Sequence, residues 1–267
     1  MGKSKNKKIL IFGGTGFLGN SLIKLLLKMD AEIILFTRVI NSGKSILKYK
    51  SNPNIKIVHW NFTDHELIKE NILNSDCIIN LCGILYENRN DDFFRIHSDF
   101  PALLGKLSSK NNLNSLIHVS ALGVSEFSES RYSRSKAIGE RKLLENFPNG
   151  KIIRPSLLFG KGDNFFGQFS KMASLSPFLP LISRTTKFQP VFVDDVAKAI
   201  INLLKSTKYK EIIFEIGGEF IYTFEELLKI LLEVKKIKRV LIPLNPKLMM
   251  IPAFFLQKLP KPPFTVD

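Results

Sequence analysis

KKILIFGGTGFLG, residues 7–19, is the stretch on which the reading of the fold turns. An apolar run that reads as a strand passes into a glycine turn and then into an amphipathic helix carrying Leu22, Ile23, Leu26 and Leu27. The spacing Gly13-x-x-Gly16-x-x-Gly19 has a physical reason at each position. Gly13 permits a tight turn, Gly16 lets backbone N–H groups close on a pyrophosphate at the helix N-terminus, and Gly19 lets that helix pack hard against the sheet. Three glycines alone say little; between a strand and a helix they read as a dinucleotide-binding turn, lined also by Thr15, Phe17 and Leu18.

Outward from this turn, apolar runs alternate with helical patterns. KKILIF, a helix over 17–29, EIILFT, IKIVHW, a helix near 65–73, CIINLC, a helix near 93–110 and SLIHVS follow one another. This is the βαβ rhythm of a parallel sheet covered on both faces. A helix over 132–147 and the strand KIIRP complete a six-stranded, Rossmann-type, doubly wound α/β half. Residues 156–190 break the rhythm with Gly, Pro, Ser and Phe, as a loop-and-short-helix insertion lining a substrate cleft would. The expected organisation is therefore a dinucleotide-binding domain over 1–155 and a small C-terminal substrate lobe over 156–267, with a late strand and helices returning to the core. Helices are expected near 194–205 and 224–236, the first capped by Asp194 and the second opened by a capping box, Thr223-x-x-Glu226.

The chain of 267 residues can bury a large core without staples. Cys77 and Cys82 stand an odd number of positions apart in one apolar run and point to opposite faces of a strand, which fits a reducing compartment. The start runs straight into strand and turn without a signal-peptide core, and no uncharged apolar run reaches the ~18 residues of a membrane span. A cytoplasmic location is expected, with peripheral contact at the inner face of the membrane through the apolar stretch 248–257 as the sharper alternative to a packing helix. Lys and Arg number 39 against 24 Asp and Glu, a net charge of +15. The excess is scattered lysine without a nucleic-acid-binding module, so nucleic acid is not an expected partner. His59, His65, His97 and His118 lack the paired spacing of metal ligands, and no metal is expected.

Two positions bear on cofactor and chemistry. After the second strand, about 20 residues beyond the glycines, an NAD site wants a carboxylate for the ribose hydroxyls. Phe36-Thr37-Arg38 stands there instead, and Arg38, with Lys44 as an adjacent cation, suits a 2′-phosphate. NADP(H) is thus favoured over NAD(H). Farther on, Tyr132 and Lys136 are four residues apart on a helical pattern and share one face. A free tyrosine titrates near pH ~10, and bringing it to neutrality takes roughly 4 kcal/mol of electrostatic help. A close lysine supplies part of that.

Together, the glycine turn, Asn80-Leu81-Cys82-Gly83, Ser120, Tyr132 and Lys136 resemble the extended or atypical branch of the short-chain dehydrogenase/reductase superfamily. NLCGILYE, HVSALG, RYSRSKAIGE, RPSLLFGKGDNFF, FQPVFVDDVA and FEIGGEFIYTFEEL sharpen the resemblance. They are similar to bacterial relatives of the NADPH-binding accessory subunit of respiratory complex I, within the NAD-dependent epimerase/dehydratase-like proteins. The resemblance implies roles: Ser120 orients a substrate oxygen, Tyr132 exchanges its proton, and Lys136 holds the nicotinamide ribose while lowering the tyrosine pKa. It also implies that Leu81, Cys82 and Gly83 run beside the adenosine and ribose, that Asn61 and Phe62 flank the adenine, and that Pro155 and Leu158 border the nicotinamide. Asn61 departs from the acidic residue many relatives carry there. Two functions follow from the resemblance. One is a reductase or dehydrogenase of a small, lipid-like or quinone-related carbonyl compound. The other is a non-catalytic NADPH-holding subunit or assembly factor tied to a respiratory or quinone-synthesis complex. Relatives continue past Asp267, so a chain shortened at its C-terminus is expected.

Overall fold

The computed structural model describes residues 7–38, 49–87, 89, 91–206 and 209–244; Lys44 and the apolar stretch 248–257 lie outside them. In chain order the strands are β1 (Lys8–Phe12), β2 (Glu32–Thr37), β3 (Ile55–His59), β4 (Cys77–Asn80), β5 (Ser115–Val119), β6 (Lys151–Pro155), β7 (Leu158–Phe159), β8 (Phe178–Ile182), β9 (Lys187–Phe188), β10 (Val191–Phe192), β11 (Ile213–Ile216), β12 (Tyr222–Thr223) and β13 (Val240–Leu244). The helices are α1 (Phe17–Leu27), α2 (His65–Leu73), α3 (Asp92–Phe94), α4 (Phe100–Lys110), α5 (Arg131–Asn146), α6 (Phe165–Leu175), α7 (Val193–Lys205) and α8 (Phe224–Val234), with a π-helical segment, Arg95–Asp99, joining α3 to α4.

A seven-stranded parallel sheet has the order β11-β6-β5-β4-β1-β2-β3. It is the doubly wound Rossmann-type sheet the sequence implies, widened from six strands to seven because Ile213–Ile216 pairs in parallel with β6. Burial explains the arrangement. β1, β2, β4 and β5 are buried along almost their whole length, as strands covered on both faces must be, whereas β3 and β11 alternate as edges do. Strand order reverses between β1 and β4, and in open α/β sheets ligands bind outside the carboxyl ends at such a point.

The described residues form two compact units, one running up to Pro155 and taking in Val193–Ile216, the other made of Ser156–Phe192 and the residues from Gly217 onward. In the second unit α6 and α8 pack Phe165, Phe169 and Phe224 against Phe188. The expected capping box is present at the start of α8, with Thr223 and Glu226 each satisfying the other's backbone N–H. Asp194 does not cap α7: the helix begins at Val193 and Asp194 lies inside its first turn, where a carboxylate complements the helix dipole.

In the first unit, helical structure is continuous from Asp92 to Lys110. Two glycines let it press against α5. A Cβ on Gly139 would stand 1.8 Å from the carbonyl oxygen of His97, and one on Gly105 would stand 2.8 Å from that of Leu143. The first contact falls on the π-helical segment, whose wider turn carries the His97 carbonyl onto α5.

Candidate active site

Gly13 has φ +76°, and a Cβ there would come within 2.8 Å of the Leu81 carbonyl carbon, so the turn closes directly on the end of β4. The N–H of Gly16 donates to Gly13 O at 3.0 Å. No side chain caps α1 and no acidic residue occupies its first turn, an arrangement of the leading N–H groups that is compatible with an anion at the helix N-terminus. Gly19 packs against the turn itself, since its Cβ would stand 2.4 Å from Gly14 Cα, while Gly14 makes the tight approach to Leu35 of β2. Asn20, which the sequence did not single out, holds the turn by donating to the carbonyls of Gly16 at 2.8 Å and Thr15 at 3.2 Å. Phe17 is half-buried and Leu18 buried on the first turn of the helix.

Arg38 follows β2 and is exposed, behind the buried Phe36 and Thr37. Its guanidinium carbon lies 5.1 Å from the centroid of the Phe62 ring, and that of Arg95 lies 5.7 Å from the same ring. Arg95 is held by the buried carboxylate of Asp92. Two cations thus converge on one ring at the carboxyl end of the sheet. Phe62 in turn packs on Trp60 and Phe100. Asn61 is engaged locally: its Oδ1 accepts from the N–H and hydroxyl of Thr63, and its N–H donates to Asp64 at 2.8 Å. Its amide oxygen serves a turn before it can serve an adenine.

At the end of β4, Asn80 is fully buried. Its Oδ1 accepts the N–H of Cys82 at 3.0 Å, which directs its amide nitrogen to His118 Nδ1, also at 3.0 Å. The N–H of Leu81 donates to Phe12 O. Burial pushes the Cys82 thiol up to about 12, so this wall is neutral. A Cβ on Gly83 would lie 3.6 Å from Lys136 Nζ and 3.7 Å from His97 Nε2.

Ser120, at the carboxyl end of β5, donates its N–H to Ile153 O at 2.7 Å, while its buried hydroxyl has no partner among the described residues. Pro155 ends β6 and accepts from the N–H of Leu122. Leu158 belongs to the second unit, where β7 pairs with β10. Tyr132 and Lys136 do share one face of α5, with Nζ 5.6 Å from the centroid of the phenol ring.

The signature of the NAD dependent epimerase/dehydratase family runs over residues 9–217. The chain belongs to that family.

Within the epimerase/dehydratase family, this chain is 34% identical, over 224 residues, to NADH dehydrogenase (ubiquinone) 1 alpha subcomplex subunit 9, mitochondrial, of Dictyostelium discoideum. The match covers 84% of this chain and 62% of that protein, so the chain spans less than two thirds of that relative's length. It is 24% identical to a ceramide reductase of Caulobacter vibrioides, over 72% of this chain and 59% of that protein. Among solved structures it resembles dTDP-glucose 4,6-dehydratase from Bacillus anthracis in complex with NAD. The TM-score is 0.75 and the identity 21%, over 90% of this chain and 84% of that one, a likeness of fold.

The electrostatics of this epimerase/dehydratase site differ from expectation at Tyr132. Burial pushes its pKa up to about 12, not down toward neutrality. The ring lies edge-on to Phe93 and to His97, both uncharged, and the ammonium sits over the ring. Lys136 is itself brought down to about 8 by burial, an effect that Glu140 opposes. Sequence reasoning missed Glu140, one turn beyond Lys136, whose buried carboxylate takes a bidentate pair from Arg154. It also set aside His97 and His118, which burial and Lys136 hold neutral, at about 2 and about 3. A lone histidine in an apolar pattern carries no signal of what it will meet.

Proposed function

We propose that the chain binds a nicotinamide dinucleotide, NADP(H) in preference to NAD(H), and acts as a reductase or dehydrogenase of a carbonyl or quinone-related compound. The observation that carries this is Lys136. The residue is 5% exposed, and its ammonium, over the Tyr132 ring, makes no ion pair or hydrogen bond among the described residues and lies beside Gly83, where the backbone leaves room. A buried cation short of hydrogen-bond partners is costly, and a ribose hydroxyl pair would supply them. The fit extends along the sheet. The Gly13–Gly19 turn, closed so tightly that a Cβ at Gly13 would meet Leu81 and one at Gly19 would meet Gly14, suits a pyrophosphate, Leu81–Gly83 the ribose, and Phe62 the adenine. Arg38 and Arg95 offer two cations to a 2′-phosphate. The orphaned Ser120 hydroxyl would accept or donate to a substrate oxygen, and Tyr132 would hold the proton exchanged with it. The bound dinucleotide would supply the hydride.

The test is consumption of NADPH against a panel of quinones, aldehydes and ketones, with Tyr132→Phe beside the wild type. The variant keeps the ring and should keep NADPH affinity while losing about 10² to 10⁴ in turnover. Relatives named as subunits of NADH dehydrogenase (ubiquinone) and of NADH-ubiquinone oxidoreductase favour a second reading, an NADPH-holding subunit or assembly factor at a membrane-bound respiratory or quinone-synthesis complex. Among the described residues no helix is long and apolar enough to cross a membrane, and on this reading attachment is peripheral, at the inner face. NADPH that stays bound without any substrate beating background, together with complex assembly that depends on Lys136 and not on Tyr132, decides for the second reading.

A further inference from the structure

The π-helical segment Arg95–Asp99 carries a side chain that the proposed chemistry does not use. His97 is 1% exposed and makes two hydrogen bonds through its ring. The backbone N–H of Ile84 meets Nε2 at 3.0 Å, and Ser135 Oγ meets Nδ1 at 3.0 Å. A backbone N–H only donates, so Nε2 accepts and the ring proton resides on Nδ1. The Nδ1–H then donates to Ser135 Oγ, and the Ser135 hydroxyl donates onward to the carbonyl of Tyr132 at 2.9 Å. The ring stacks on Phe93, at 5.4 Å and 20°, and stands edge-on to Tyr132 at 5.3 Å.

We propose that His97 is a positioning residue, which as a neutral Nδ1–H imidazole ties the backbone after β4 to the first turn of the helix that carries Tyr132 and Lys136. This rests on the dinucleotide reading above, because the tied backbone, Gly83-Ile84, is the wall beside Lys136. Three elements are fixed by one ring. The π turn supplies it, the β4 loop is its donor, and α5 is its acceptor. The contact of the His97 carbonyl with Gly139 locks the same residue from its backbone side. The charged and titratable groups facing the ring are Lys136 and Tyr132 on α5 and His118 on β5, and both the ammonium and burial disfavour a second ring proton. A protonated ring would turn a donor against the Ile84 N–H and open the chain at that end.

The experiment uses the full chain with ¹⁵N-labelled histidine, observed by NMR between pH 5 and 8, together with NADPH titrations. The expected result is one histidine in the Nδ1–H form that does not titrate over this range. His97→Phe keeps the stacked ring and removes both bonds; it should erase that signal and weaken NADPH binding about tenfold, as an unpaired backbone donor at the wall would. Ser135→Ala should move the Nδ1–H resonance upfield and weaken NADPH less, about threefold, since only the Tyr132 end is cut. An Nε2–H tautomer, titration near the ordinary histidine value, or unchanged NADPH affinity in His97→Phe overturns the inference alone. Should His97→Phe fail to fold, the wild-type tautomer and the Ser135→Ala titration still decide it. Failure of NADPH to bind the wild type overturns the function itself, and the inference with it.

Discussion

Raising the pH should loosen NADPH through one lysine. In the free protein burial brings Lys136 down to about 8. A ribose that accepts from its ammonium favours the charged form, so the pKa rises on binding, at most toward the ordinary ~10.4. Below pH 8 the ammonium is present in both states and affinity is flat. Above pH 8 the free protein must take up a proton to bind, and the affinity falls by up to about tenfold per pH unit until the pKa of the complex is reached. From pH 7 to 9.5 the loss is about 20- to 30-fold if the bound lysine regains its full ordinary value. Neighbouring buried groups titrate outside this window, with Cys82 and Tyr132 at about 12, His97 at about 2 and His118 at about 3. The 2′-phosphate, with its second pKa near ~6, is already fully charged. The sign for folding of the free protein is opposite: a lysine depressed in the native state destabilises below pH 8, and that cost is relieved as pH rises toward ~10.4. Quenching of Trp60, buried against Phe62, reads binding across the range, and calorimetry in two buffers reads the proton uptake. Lys136→Met should bind weakly at pH 7 and show no slope. A flat wild-type profile, or the same slope in Lys136→Met, refutes the assignment of the ribose to Lys136.

Arg38→Asp should abolish the preference for NADPH over NADH, and Arg95→Gln should narrow it by at least about tenfold, the worth of one charge-assisted hydrogen bond; parallel titrations with both dinucleotides measure the ratio. Glu140→Gln strips the buried pair from Arg154 and should lower the free energy of unfolding in urea by about 3 kcal/mol. It also removes the charge that raises the Lys136 pKa, so the midpoint of the NADPH pH profile should move to lower pH.

What the sequence disclosed followed from local chemistry. The glycine turn, the alternation of buried strands with amphipathic helices, the Thr223–Glu226 box and the shared face of Tyr132 and Lys136 are all fixed by spacings under one helical turn or one βα step. Interactions of long sequence separation stayed hidden. A late strand returning to the core was expected, but not its place: Ile213–Ile216 pairs with the edge of β6, some sixty residues earlier in the chain. Glu140 finds Arg154 across a strand connection, and Asn80 finds His118 across a crossover. For Tyr132, a four-residue spacing brings the ammonium over the ring but says nothing of the burial that pushes the phenol pKa up. The π turn is silent as well, since apolar residues recur on both sides of it with no mark of the extra residue.

That extra residue makes the helical rod from Asp92 to Lys110 two helices set out of phase. One surplus residue in a 3.6-residue turn rotates everything before it by about 100° relative to everything after it. Leu104 and Phe100 aim into the apolar core, while Phe93 and His97 aim at the helix bearing Tyr132. Deleting Ser98 would remove the extra residue after His97 while leaving every site side chain in the sequence, and would swing His97 away from both Ile84 and Ser135. The alignment of the site is in this sense a matter of counting, kept by chain length as much as by the identity of any residue.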